Sequence, residues 1–516
     1  MQPGSEWVER LYAGGIAVTL LAMPFSTWLM SQGAFLCVLA WGADRWVNGP
    51  VLRNRGWHFY RAQAPLLAIL ALWGWQVLGL LWTEDLAQGW TVLRIKAPLL
   101  AFPLILITGR WSQDRVMTWL PKVWAAALIA SCIAVLGQGL LHDGPLAPRE
   151  WSPFVSHIRL ALFLSFGIAW WWAKWLQRES NAWLPIILLL LGASVIWKTA
   201  TLTGALLLPI LGLILAMAVG LERLGICLKW SRRWGASAAG LVLLAALVVG
   251  WSLRPTVPNK ADLPRLSAAG TPYAHYPERT LREGPHFVWT CLAEREMRAI
   301  WNQRSALSFD GEDGRRQELK MTLIRYLTSV GLTKDSVGVT NLTPDQIAHV
   351  EQGIPTAFEL EHSGLRRRWD VLQFEVMNAR DGGNPSGHSI VQRLHFLSAA
   401  RFIQRGAPLW GVGTGDLNTA FNLAYEALDS PLSPAFRLRA HNQFVSFGLA
   451  GGPISVVLWY AVLFLSARGL PARMQVPAWL FLAVLTLSCL TEDTLETQAG
   501  VTFAGLFLGL FGQRSG

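Results

Sequence analysis

The chain of 516 residues is dominated by apolar runs that recur at the length of a membrane-spanning helix. A helix needs about 20 apolar residues to cross the hydrocarbon core of a bilayer, and runs of about 18 to 25 residues recur here. Tryptophan clusters at the ends of the runs, as at Trp170, Trp171 and Trp175, which is typical of an interfacial aromatic belt. Only 15% of the residues are charged, against about 25% in soluble proteins. The sequence therefore predicts an all-α polytopic membrane protein.

We expect about twelve spans. Residues 1–253 carry the first nine, residues 254–440 form a large segment before the tenth, and residues 441–516 carry the last three. The predicted spans are Leu11–Phe25, Thr27–Asp44, Pro65–Trp82, Ile95–Ile107, Met117–Leu141, Ile158–Leu176, Ala182–Lys198, Leu202–Gly220, Trp234–Leu253, Asn442–Leu465, Pro477–Leu490 and Ala499–Gly512.

The loops after the even-numbered spans are basic, which marks the cytoplasmic side of a membrane protein. Examples are Arg53 after the second span, Arg110 after the fourth and Lys174 after the sixth. Both termini are therefore expected in the cytoplasm and residues 254–440 outside it. Much of the net charge of +11 then faces anionic lipid at the cytoplasmic surface, so the charge does not indicate a nucleic-acid partner.

The segment 254–440 is predicted to be mainly helical after a proline-rich start. Its expected helices are Val288–Gln303, Gln317–Val330, Gly364–Ala379 and Ser389–Gln404, and a further helix begins near Thr343. The last of them carries an apolar stripe that needs a partner, formed by Ile390, Leu394, Leu397 and Phe402. The sequence from Gly411 to Asp416 lacks the lysine of a P-loop, and it indicates a tight turn whose amides could approach an anion.

Several ionisable groups fall at the predicted outer ends of spans, where burial of charge is costly and often marks function. A lysine or arginine at a helix end can instead reach the headgroups by snorkelling. A cluster of such cations on one face suits a diphosphate, which arginine binds through two parallel hydrogen bonds. The residues concerned are Arg94, Lys96, His157, Arg159, Lys198, Arg437, Arg439 and His441.

Two interpretations of His441 compete. It could cap the tenth helix, with Asn442 as an alternative cap. It could instead be a general base, because a near-neutral imidazole can take a proton from a sugar hydroxyl. Two interpretations also remain for the acidic stretch Glu492, Asp493 and Glu496. Its carboxylates could accept hydrogen bonds from acceptor sugars, or it could be a solvated loop.

Two stretches, SIVQRLHFLSAARFIQRGAPLWGVGTGD (389–416) and RLRAHNQFVSFGLAGGPIS (437–455), resemble the O-antigen ligase family. The matching features are Arg393 at the start of a helix, a Pro-x-x-Gly-x-Gly turn at 408–413, and the pair His441-Asn442 before the next span. RIKAPLLAFPL (94–104), IRYLTSVGLTKDSVGVTNLT (324–343) and LTEDTLETQAGVTF (490–503) resemble a subgroup common in Bacteroidetes-like bacteria.

The resemblance implies a fold like that of the GT-C membrane glycosyltransferases. It implies transfer of a glycan from undecaprenyl diphosphate to a hydroxyl of a lipid A-core acceptor at the periplasmic face of the bacterial inner membrane. No metal, nucleotide or other cofactor is implied. His441 would be the catalytic base, and the diphosphate would be bound by Arg159, Arg393 and Arg439, with Lys198 and Arg94. Residues that would contact the acceptor or support the site are Asn442, Asp416, Glu492, Asp493 and Glu496.

The chain departs from the family pattern after the seventh span. Many members carry Ser-Arg there, whereas this chain has Thr201-Leu202-Thr203-Gly204, so Lys198 could replace the arginine. Polymerases of surface glycans and protein O-oligosaccharyltransferases share the family's motifs and remain alternatives. A transporter of lipid-linked glycans is the alternative from another class, but it should place charges near the bilayer midplane.

Overall fold

The computed structural model describes residues 6–49, 63–142, 150–223, 263–362, 364–468, 470 and 472–513. This part of the chain is mostly helical. Five of its helices are long and apolar enough to cross a membrane, which confirms the membrane character predicted from sequence. They are Ala64–Trp82, Leu86–Thr108, Gln113–Leu141, Gln443–Ser466 and Met474–Thr491.

The chain divides into two compact units, one of residues 1–230, 395–430 and 437–516, the other of residues 231–394 and 431–436. The first unit contains all the apolar helices described. Up to residue 223 its helices are α1 Glu6–Ala22, α2 Thr27–Asn48, α3 Ala64–Leu78 with a 3-10 turn Gly79–Trp82, α4 Leu86–Thr108, α5 Gln113–Leu141, α6 His157–Leu176, α7 Trp183–Lys198 and α8 Leu202–Arg223.

The second unit contains a two-residue hairpin and a set of short helices. These are β1 Arg282–Glu283, β2 His286–Phe287, α9 Glu294–Arg304, α10 Leu319–Ser329, α11 Ser336–Thr340, α12 Pro344–Glu351, α13 Phe358–Glu361 and α14 Gly364–Arg380. Helix α15 Ser389–Gly406 begins in this unit and ends in the first. The remaining elements are α16 Leu417–Ala427, a 3-10 turn Pro434–Phe436, α17 Gln443–Ser466, α18 Ala472–Thr491, a 3-10 turn Thr494–Glu496 and α19 Gln498–Gly512.

Two predicted elements begin later or earlier than the structure shows, and a third cannot be compared with it. The fourth span begins at Leu86 rather than Ile95, because the Asp85 side chain accepts from the Gln88 amide and caps the helix there. Residues 288–293 are not helical, so α9 begins only at Glu294. The predicted ninth span, Trp234–Leu253, lies outside the described residues.

Close helix packing in the first unit depends on small residues. A Cβ at Gly505 would lie 2.2 Å from the Pro98 carbonyl oxygen, and one at Gly509 would lie 2.8 Å from that of Phe102. Glycines four residues apart let two helix backbones approach closely, which is a common contact between membrane helices. Helices α4 and α19 therefore run side by side in the same direction.

The glycine-rich turn at 411–416 packs into a kink of α17. That helix is interrupted at Gly451 and Gly452, and Gly452 has φ +66 with its Cα close to the carbonyl group of Leu409. The amides of Val412 and Gly413 donate to the carbonyls of residues 449 and 450. These amides are thus engaged by the protein, so the predicted approach to an anion is wrong, whereas the predicted tight turn is confirmed.

The core of the second unit is built from large side chains of α9, of α10 and of the segment between them, including Trp301, Phe309, Leu323 and Leu327. The helix predicted near Thr343 is confirmed, and Thr343 and Gln346 form a capping box at its start. In α15 the predicted apolar stripe is the exposed side of the helix, since Leu394 is 65% exposed, whereas Phe396 is buried.

Candidate functional site

Most of the residues between α18 and α19 (492–497, here the acidic loop) are buried or half-buried, and the three carboxylates among them have hydrogen-bond or ion-pair partners. The carboxylate of Glu496 lies 2.7 Å from Lys96 Nζ and 3.1 Å from Arg439 Nη1. It also accepts a hydrogen bond from Gln443 Nε2 at 3.2 Å. Glu496 thereby joins α4, the chain before α17 and the first turn of α17 to the acidic loop. The interpretation of a solvated loop is wrong.

The two cations of the fourth span have different environments. Lys96 is 4% exposed, whereas Arg94 is exposed. Residues two apart in a helix point to different faces. Arg94 therefore lies on a different side of α4 from the acidic loop, and the sequence prediction that singled it out for the diphosphate has no geometric support.

Arg439 is held by two partners. Its Nε donates to the side-chain oxygen of Asn418 in α16 at 2.7 Å, in addition to its ion pair with Glu496. Arg439 thus lies at the predicted site, but its guanidinium already pairs with a carboxylate that it shares with Lys96.

His441 lies directly before α17 with a left-handed backbone, φ +49. That conformation is uncommon for residues other than glycine and often occurs at functional sites. Its Nδ1 lies 3.3 Å from the Glu492 carboxylate, and its ring lies 5.5 Å from that of Phe396. The capping role belongs to Asn442, whose side-chain oxygen accepts from the amides of residues 444 and 445. The interpretation of His441 as the helix cap is therefore wrong.

The other two acidic groups of the loop differ in their electrostatics. Burial, together with the neighbouring Glu496 carboxylate, raises the pKa of Asp493, whose Oδ1 accepts from Ser446 Oγ at 2.6 Å. Burial also acts to raise the pKa of Glu496, but the charges of Lys96 and Arg439 outweigh it, so that the net shift is downward. Glu496 is thus the more strongly held anion.

Arg159, in the first turn of α6, is 7% exposed. Its guanidinium donates to the hydroxyls of Thr497 at 3.1 Å and Thr494 at 3.4 Å, and to the Asp493 carbonyl at 3.3 Å. Within the described part of the chain it forms no salt bridge with a carboxylate. Its hydrogen bonds go to neutral oxygens, while the nearby carboxylates of Glu492 and Asp493 stabilise its charge without a salt bridge.

A cavity of about 390 Å³ lies among these groups. Its wall includes Arg159, His441 and the three carboxylates of the acidic loop, together with Thr27, Ser156, Ile158, Thr497, Gln498 and Ala499. Its volume is within the usual range for a small-ligand site. Within the described ranges, no three His, Cys, Asp or Glu side chains are grouped to hold a metal ion.

Three other predicted site residues lie elsewhere. Asp416 accepts from the backbone amides of residues 84 and 85, both at 2.8 Å, and so fixes the loop before α4. Lys198 is exposed and its amino group lies 5.3 Å from the Trp151 ring, outside the cavity wall. Arg393 lies in the part of α15 that belongs to the second unit, and its side chain is half-buried.

Sequence reasoning missed the neutral residues that hold the loop. Gln443 bonds both the Glu496 side chain and the Leu495 amide, and Ser446 bonds Asp493. Their three-residue spacing puts both on one face of α17. Gln443 and Ser446 could have been found from the sequence, because they are polar residues three positions apart at the start of an otherwise apolar helix.

Comparison with known protein families and with curated proteins finds no match to this chain. The resemblance to O-antigen ligases therefore stays a prediction.

Lys96→Met should destabilise the protein strongly, because it leaves Glu496 buried without its closest cation. Removal of one partner of a buried ion pair costs about 3–5 kcal/mol. Arg94→Met, in the same helix, should cost less than about 0.5 kcal/mol. Thermal unfolding of the purified protein in detergent measures both variants, and an equal loss in both would contradict the assigned pair.

The stability that Lys96→Met loses relative to the wild type should depend on pH. The folded-state pKa of Glu496 is lowered, so its ionisation stabilises the fold above its unfolded value of about 4.3. That contribution is lost as the pH falls through the lowered pKa. The gap between Lys96→Met and the wild type should therefore narrow on acidification.

Proposed function

We propose that this chain is a membrane glycosyltransferase that moves a glycan from undecaprenyl diphosphate to an acceptor hydroxyl at the outer face of the inner membrane, as O-antigen ligases do. The observation that carries the proposal is the pairing of His441 with Glu492 at the wall of a cavity that also contains Arg159. The proposed acceptor is a lipid A-core sugar.

The contact of His441 with Glu492 prepares the imidazole to act as a base. A carboxylate only accepts hydrogen bonds, so Nδ1 carries the hydrogen and Nε2 keeps its lone pair. In the proposed step the acceptor oxygen attacks the anomeric carbon while its proton passes to Nε2. The bond from that carbon to the phosphate oxygen breaks, and undecaprenyl diphosphate leaves with the electron pair.

Arg159 is the proposed contact for the departing diphosphate. Lys96 and Arg439 both form salt bridges with Glu496, whereas the hydrogen bonds of Arg159 go to neutral oxygens. Charge-assisted hydrogen bonds to phosphate are about twice as strong as neutral ones, so the diphosphate can replace the threonine contacts. Stabilisation of charge on the leaving group lowers the barrier to transfer.

The proposed membrane orientation is supported by a basic cluster at the other end of the first unit. Buried Asp44 at the end of α2 pairs with Arg45 and Arg110, and Arg115 pairs with Glu9 at the start of α1. Arg110 comes just after Thr108, the end of α4 that points away from the acidic loop. Basic loops mark the cytoplasmic side, so we propose that the acidic loop faces the periplasm in a GT-C-like arrangement of about twelve spans.

The transporter alternative requires ionisable groups near the bilayer midplane. Lys96 is such a candidate, because it lies in the interior of α4 rather than before it. Its amino group, however, reaches Glu496 between the ends of α18 and α19. The charges thus gather at one end of those helices, which favours an enzyme.

His441→Ala should abolish glycan transfer, because loss of a general base typically costs 10²–10⁴-fold in rate. Glu492→Gln should reduce transfer less, since an amide can still bond the ring. The assay is transfer from undecaprenyl-diphosphate glycan by purified protein in liposomes. His142→Ala, an exposed histidine after α5, is the matched control and should keep wild-type activity. Wild-type transfer by a correctly inserted His441→Ala protein would falsify the assignment.

Deletion of the gene in its native host tests which acceptor receives the glycan. We expect loss of all polymer from the lipid A-core on lipopolysaccharide gels. A single capped repeat on the core would indicate a polymerase instead. An unaltered ladder with loss of glycoproteins would indicate protein glycosylation.

A further inference from the structure

A second cavity, of about 680 Å³, lies at the far end of the first unit from the acidic loop. It is bounded by the first turns of α5 and α18 and by the last turns of α6. Helix α6 has 20 residues between the two ends and is therefore about 30 Å long, close to the thickness of the hydrocarbon core. Since α5 and α18 are candidate spans, this cavity lies where both helices enter the headgroup region.

The wall of this cavity is amphipathic. Trp170, Trp171 and Met474 are buried at its apolar side, and Trp171 Nε1 is fixed by donating to the Pro121 carbonyl at 3.0 Å. The polar side carries Lys122 and Lys174. Cavities of this size hold small ligands, and tryptophan is favoured where one part of a ligand is apolar and the other is in water.

Two polar groups at this cavity have no partner among the described residues. Lys122 is exposed and forms no ion pair there. The Ser180 hydroxyl oxygen is buried without a hydrogen bond. An ammonium group without an ion pair at the wall of an amphipathic cavity points to a ligand with acceptor oxygens, whereas the Ser180 hydroxyl oxygen has too little accessible surface to contact that ligand.

The charges around the cavity are of both signs. Two lysines, Lys122 and Lys174, face two carboxylates, Asp114 and Glu179, and the pair Lys174–Glu179 is joined by a salt bridge. A carboxylate has about four acceptor positions, so Glu179 can accept a further N–H. These carboxylates would repel a headgroup that carries only negative charge. A choline headgroup has no N–H to donate to them.

We propose that this cavity binds the headgroup of an aminophospholipid of the phosphatidylethanolamine type. The phosphate contacts Lys122, and the ammonium donates to the carboxylates of Asp114 and Glu179. The acyl chains lie along the apolar ends of α5 and α18. The inference rests on these helices crossing the bilayer and not on glycan transfer.

Retention of lipid by the purified full-length protein tests the proposal. Delipidated protein is titrated with phosphatidylethanolamine, phosphatidylglycerol or phosphatidylcholine, and bound lipid is counted by native mass spectrometry. We expect phosphatidylethanolamine to bind most tightly. Lys122→Glu should weaken its binding by roughly tenfold or more, because a charge-assisted bond is replaced by repulsion.

Arg468→Glu is the matched control. Arg468 is an exposed cation just after the end of α17, at the same end of the helices but outside the cavity. Its variant changes the charge equally and should bind as the wild type does. Equal weakening in the two variants would overturn the proposal by showing general surface electrostatics. Preference for phosphatidylglycerol, or equal binding of phosphatidylcholine, would overturn the choice of an amine-bearing headgroup.

Discussion

The site depends on one buried carboxylate, that of Glu496, which binds Lys96, Arg439 and Gln443 together. A buried charge is tolerated only when it is paired and its remaining acceptor positions are filled. These partners come from α4, from the segment before α17 and from α17 itself. The position of the acidic loop is thereby fixed relative to three separate parts of the first unit.

Fixing this loop determines where the reactive groups lie. Glu492 meets the imidazole of His441 from one end of the loop, while the threonine hydroxyls at the other end hold Arg159. The loop thus supplies an orienting carboxylate to a base and leaves a buried guanidinium without a salt bridge. Since His441 also has a left-handed backbone, its position is set by its surroundings rather than by local helix propensity.

The sequence predicted the membrane character and the approximate bounds of most of the described apolar helices, because these depend on composition and period. It could not predict which cations share a partner. Arg94 and Lys96 look equivalent in sequence, yet only Lys96 faces Glu496, a residue four hundred positions away. The start of α4 was also missed, because an aspartate cap at Asp85 extends the helix through a polar stretch. Such long-range pairs and caps are set by packing.

The most direct test of the central claim is the affinity of the purified protein for an undecaprenyl-diphosphate glycan, measured with Arg159→Ala and Arg94→Ala side by side. If the guanidinium without a salt bridge receives the diphosphate, Arg159→Ala should lose roughly tenfold to hundredfold in affinity, whereas Arg94→Ala should match the wild type. Unchanged affinity in Arg159→Ala, or an equal loss in both variants, would contradict the account.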